Sequence, residues 1–131
     1  MTALVGDEHG SVSVEAAIWL APVFLVVLGL VQGAFWWAAV DTCSAAAQQG
    51  LDAGRVLGGT PADAQREATA YMARVNALAR NPQVSTTATD TGMRVAVAAE
   101  VVLVVPVPGM QWHIERDAVG TREHLTNPED S

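Results

Sequence analysis

Between Ala16 and Val40 the chain carries no charged residue. About 25 residues at roughly 1.5 Å each make about 37 Å of helix, enough to cross a hydrocarbon core of about 30 Å. A soluble protein of 131 residues rarely needs one helix so apolar. Half of the residues are hydrophobic, and setting this run aside leaves a modest domain of roughly ninety residues with one small core at most. Within the run Pro22 removes one backbone donor. Gly29 and Gly33 stand four apart, a spacing that membrane helices use for close packing and that also arises by chance. Trp19 near one end and Trp36 and Trp37 near the other suit the two lipid–water interfaces.

A cleavable secretory signal is one competitor for this span. Ala45 and Ala47 in "SAAAQQ" have the spacing of a signal-peptidase site, with a cut after Ala47. Against it stand an apolar stretch far longer than a signal needs and a leader, "MTALVGDEHG", without Lys or Arg. The same acidic leader leaves the orientation of the span unspecified by charge.

At the entrance of the run sits Glu15, with no Lys or Arg within two helical turns. Near the edge of the hydrocarbon a lone carboxylate needs a cation or a wet position. It is either paired in an assembly or held at headgroup level in the first helical turn, where the helix dipole favours an acid.

Beyond Val40 the helix is expected to continue through "DTCSAAAQQGLDAGRVL", since nothing interrupts it before Gly58 and Gly59. Thr60 then reads as an N-cap, Pro61 as the first helical residue and Asp63 as a first-turn acid. Ala64, Ala68, Tyr71, Met72, Val75 and Leu78 recur at helical steps, predicting an amphipathic helix that ends before Asn81 and Pro82 and packs on a core. From Gln83 the period becomes two. Val84, Thr86 and Ala88 alternate, "DTG" marks a hairpin, and Met93, Val95, Val97, Ala99, Val101, Leu103 and Val105 form a long strand. Trp112 and Ile114 against His113, Glu115 and Asp117 suggest a third strand. "VVLVVPV" is read as core, with an interaction edge as the other account. The fold class is therefore α+β: a long N-terminal transmembrane helix, then a second helix packed on a small antiparallel meander of about three strands.

The net charge is −7 and the seven scattered basic residues are all Arg, so no nucleic-acid partner is expected. The lone Cys43 is read as a small helical residue. His9, His113 and His124 are far apart, and His113 with Glu115 is too little for a metal site. With no nucleophile elbow, phosphate loop or carboxylate pair, neither catalytic residues nor metal or cofactor sites are expected.

The segment from Gly10 to Glu15, "GSVSVE", followed at once by an apolar helix with Pro22, resembles the type IV prepilin-like start of TadE-family pseudopilins of tight-adherence (Flp-type) pilus systems. The resemblance extends to about Gly54 through the small-residue stretch "AAAQQGLDAGR", and more loosely to "VLVVPVPG" and "TREH". It implies cleavage by a prepilin peptidase between Gly10 and Ser11, leaving Glu15 as the fifth residue of the mature chain. The new α-amino group is then a partner for Glu15, in the same subunit or a neighbour, and their pairing would set register between packed helices.

The implied layout is a leader at 1–10, a transmembrane and extended helix at 11–57, an extracytoplasmic α+β domain at 58–122 and a disordered acidic tail at 123–131. The implied partners are the lipid bilayer, the peptidase, other pilin-like subunits and the pilus machinery, with the N-terminus cytoplasmic and the protein in the cell membrane or a filament. The competing expectations are an unprocessed single-pass anchor presenting a binding module and a protein secreted after the cut at Ala47.

Overall fold

The computed structural model describes residues 2–56, 58–75, 78–105 and 107–121, with side chains from Ser11 onward. The expected tail at 123–131 lies outside them. Five elements follow in order: α1 (Thr2–Arg55), α2 (Pro61–Arg74), β1 (Ala79–Ala88), β2 (Gly92–Val101) and β3 (Trp112–Thr121). The strands form one antiparallel sheet in the order β1-β2-β3, the expected meander. The chain divides into two compact units with the boundary between Ala34 and Phe35, so the last part of α1 belongs to the unit that contains the sheet.

In that second unit α1 buries Ala39, Cys43, Ala46, Ala47 and Leu51 at three- and four-residue steps, the stripe of a helix with one face inward. The stripe is built of small side chains, and Gly50 and Gly54 complete it. A Cβ on Gly50 would lie 2.7 Å from the Ala64 carbonyl oxygen of α2 and 2.9 Å from the Ala68 Cβ. One on Gly54 would press on Met93 Sδ of β2. Only hydrogen at these positions lets the helix approach α2 and the sheet so closely. Arg55, in the last turn, donates from Nε to the carbonyl oxygen of Thr121 at 3.0 Å, tying the helix to the end of β3.

The local signals at α2 hold. Thr60 accepts from the Asp63 amide at 3.2 Å while the Asp63 carboxylate accepts from the Thr60 amide at 2.9 Å, a capping box with Pro61 behind it. Ala64, Ala68 and Met72 are buried. The predicted stripe goes too far, however. The helix stops at Arg74, Val75 is exposed, and Leu78 is a half-buried connector. The reason is non-local: β1 starts at Ala79, four residues earlier than expected, because Ala79 pairs with Val101. Asn81 and Pro82 fall in a bulge of this edge strand, with Asn81 at φ 49, so a residue lacking an N–H interrupts no central ladder.

In β2 the expected alternation is borne out: Met93, Val95, Val97, Ala99 and Val101 are all buried. The strand ends at Val101 rather than Val105: the register with β1 closes at Ala79 and Val101, and one further bond, from the Val102 amide to the Leu78 carbonyl oxygen at 3.2 Å, follows it. Leu103 is half-buried, while Val105 and Val107 are exposed, so the reading of this stretch as core is corrected. Ile114 and Ala118 of β3 complete the core, which holds no buried polar or charged residue among those described. The opposite sheet face is polar, with Arg94 paired to Asp117 at 3.0 Å and His113 to Glu100 at 3.3 Å.

Candidate functional site

The first unit is the apolar length of α1. Fourteen large apolar side chains between Val12 and Trp37 are exposed, and none of the most apolar stretch is buried. Soluble monomers rarely expose contiguous apolar patches beyond a few hundred Å². The helix is long and apolar enough to cross a membrane, and helical geometry satisfies the backbone groups that hydrocarbon would leave unpaired.

Each residue singled out in the sequence has a position on this helix. Gly10 and Ser11 lie within the continuous α1, and Pro22 sits inside it. Proline supplies no amide to the carbonyl four residues earlier, that of Ile18, yet the helix carries on. Trp19, Trp36 and Trp37 are exposed. Gly29 and Gly33 face open space, since a Cβ on either would meet nothing within 4 Å.

Glu15 is exposed and is the one charged side chain from Ser11 to Val40. With roughly 100° per residue, positions 15, 22, 29 and 33 fall within about 40° of a single azimuth. Glu15, Pro22, Gly29 and Gly33 thus share one face, with the exposed Val26 between Pro22 and Gly29 on the same side. Small residues at a four-residue spacing are positions at which membrane helices pack closely.

Past the run two hydroxyls are folded back on the helix. Thr42 Oγ1 donates to the Ala38 carbonyl oxygen at 2.8 Å and Ser44 Oγ to that of Val40 at 2.9 Å, which hides both from apolar surroundings. Cys43 between them is buried. Desolvation pushes its thiol up to about 11, with the Arg116 charge pulling weakly the other way, so it is an unreactive packing residue. Among the described residues no three His, Cys, Asp or Glu side chains gather in one place.

Sequence reasoning missed Gly50 and Gly54. They carry the same four-residue spacing as Gly29 and Gly33, and only the presence of α2 and β2 beside them distinguishes the two pairs.

Together these features define a class: a small α+β unit joined to one N-terminal helix long and apolar enough to cross a membrane. The family model described as TadE-like protein matches residues 10–52, about a third of the chain. The match begins at Gly10 and runs through the apolar helix into the small-residue stripe, in agreement with the resemblance read from those residues. No curated protein and no solved structure matches the chain.

Proposed function

We propose that this protein is a membrane-anchored, TadE-like pilin relative that takes part in assembling a pilus or secretion filament. In this reading it is a substrate rather than a catalyst. A prepilin peptidase on the cytoplasmic side cuts between Gly10 and Ser11, and the α+β domain stands on the outer side. The observation that carries the reading is the family match starting at Gly10, directly ahead of an exposed apolar helix with Glu15 as its one charge.

The cut creates an α-amino group one helical turn from Glu15, supplying a cation in a stretch where no Lys or Arg occurs before Arg55. An unpaired carboxylate carried deeper into hydrocarbon costs several kcal/mol, so helices that pair it with an amine are held in one register. The small residues on the same face, Gly29 and Gly33, allow the neighbour to approach. Other pilin-like subunits and the assembly machinery are the partners this implies.

The secreted alternative is disfavoured by the core. A cut after Ala47 would remove Ala39, Cys43, Ala46 and Ala47, all buried. An unprocessed anchor presenting a binding module keeps every contact described and is the remaining rival.

Intact mass or N-terminal sequencing of protein made in its own cell separates the readings. A terminus at Ser11 is expected, one at Met1 or Thr2 supports the plain anchor, and one at Gln48 the secreted form. Glu15→Ala tests the mechanism: filament assembly should fail, and survival of both cleavage and assembly would refute the role given to Glu15.

A further inference from the structure

The connection between β2 and β3 is long, apolar and exposed. From Val101 to Trp112 it contains no charged residue, yet Val105 is 54% exposed, Met110 47%, Val107 46% and Trp112 41%. An open groove of about 380 Å³ runs beneath it, with Leu103, Val107, Met110 and Trp112 among its walls and Arg80 and Glu100 at its polar margin. The Glu100 carboxylate is already held, accepting from Asn81 Nδ2 at 3.2 Å and lying 3.3 Å from His113 Nε2.

The position of this loop within its unit follows from the packing. At the start of β2, Met93 lies against Gly54 and Val95 against Gly50. Farther along, Val97, Ala99 and Val101 share the core with Ala47, Cys43 and Ala39, and Phe35 packs on that cluster. The strand therefore runs back along α1. Six residues from Val95 to Val101 span about 20 Å of strand, and about 20 Å of helix counted back from Gly50 reaches roughly residue 37. The loop thus emerges at the level of Trp36 and Trp37, the end of the unit at which the charge-free run arrives.

We infer that the β2–β3 loop is a second membrane foothold, resting its Val105, Val107, Met110 and Trp112 side chains in the lipid interface where the apolar run ends. The chemistry fits a bilayer surface. Aliphatic side chains enter the boundary of the hydrocarbon, Trp112 has the amphipathic ring that interfaces favour, and Arg80 stands at the margin where headgroups lie. The inference rests on α1 spanning a membrane and goes beyond the proposed function, because it holds whether or not the bond between Gly10 and Ser11 is cut.

The test uses the full chain in vesicles of phosphatidylcholine and phosphatidylglycerol. In a Cys43→Ala background, Val107→Cys, Met110→Cys and Thr87→Cys are each labelled with an environment-sensitive fluorophore, and quenching by lipids bearing a nitroxide near the headgroup is measured. Thr87 pairs with Arg94, close to the hairpin at the other end of the sheet, and serves as the control. Labels at 107 and 110 should be blue-shifted and quenched several-fold more strongly than the label at 87. Equal quenching at all three positions overturns the proposal. So does a loop label shielded from aqueous iodide yet untouched by the nitroxide lipid, which would mark contact with a second protein chain instead. Adding Val105→Asp should reduce quenching at position 110, and a separate mass measurement of the N-terminus reports on processing independently.

Discussion

Two glycine pairs with the same spacing should respond to alanine with opposite signs. At Gly50 the new Cβ would stand 2.7 Å from a backbone oxygen of α2, which no rotamer change relieves, and 3.3 Å from Val95 Cγ1. At Gly54 the flexible Met93 thioether can swing aside, but the Ala64 Cβ at 2.8 Å cannot. Overpacking of this kind costs about 1–3 kcal/mol per site. Each Gly→Ala change in a helix returns about 1 kcal/mol of propensity, leaving a net loss of about 2 kcal/mol for the double variant. For a unit of this size that corresponds to a fall in Tm of roughly 8–16 °C. Gly29→Ala with Gly33→Ala meets open space, so in dilute detergent it should leave Tm unchanged or slightly raised. Thermal melts of the full chain in mild detergent, followed by near-ultraviolet circular dichroism, read both. A Gly50→Ala, Gly54→Ala protein melting at or above the wild type would refute the packing account. The Gly29 and Gly33 pair should show its effect in filament assembly instead, where a neighbouring helix needs the space.

The Thr86 hydroxyl is buried with no partner among the described residues, so Thr86→Val should be neutral or stabilising by about 1 kcal/mol in urea unfolding. Thr60→Ala should cost about 1 kcal/mol through loss of the α2 cap. Hydrogen bonds from Thr60, chiefly its side chain, hold the Asp63 carboxyl below its ordinary value of 3.8. Because the folded value is the lower one, the cap's contribution is complete above the unfolded carboxylate range and is lost as pH falls through the folded value. An NMR titration should place the Asp63 midpoint below 3.8, and Thr60→Ala should move it upward. With its thiol pushed up to about 11, Cys43 should resist alkylation at neutral pH in the folded chain and react readily in denaturant. Rapid labelling of the native protein would contradict its burial.

What the sequence announces here is local chemistry. The Thr60, Pro61 and Asp63 signals locate the start of α2 because a cap is made within four residues. The alternation from Met93 to Val101 locates β2 because burial on one face writes a two-residue period. The ends of elements were not legible in the same way. Val75 and Leu78 continue a helical pattern and Leu103 and Val105 a strand pattern, yet both are cut short by the pairing of Ala79 with Val101, residues 22 apart. At the candidate site, Gly10, Ser11 and Glu15 could be read as a motif. The shared face of Glu15 with Gly29 and Gly33 required helical geometry, and the role of Gly50 and Gly54 required knowing what lies beside them.

The bond from Arg55 Nε to the carbonyl oxygen of Thr121 joins positions 66 residues apart, and Gly120 lies directly under Arg55 and Leu51. This sets a timetable. During synthesis α1 is complete before α2 and β2 arrive to cover its stripe of Ala39, Cys43, Ala46, Ala47 and Leu51, and the cover is finished only when β3 adds Ile114 and Ala118. Contacts so far apart in the chain also close slowly. The α+β domain therefore closes last at Thr121, and truncation before β3 would remove Ile114, Ala118 and the tie to Arg55 from the core in one step.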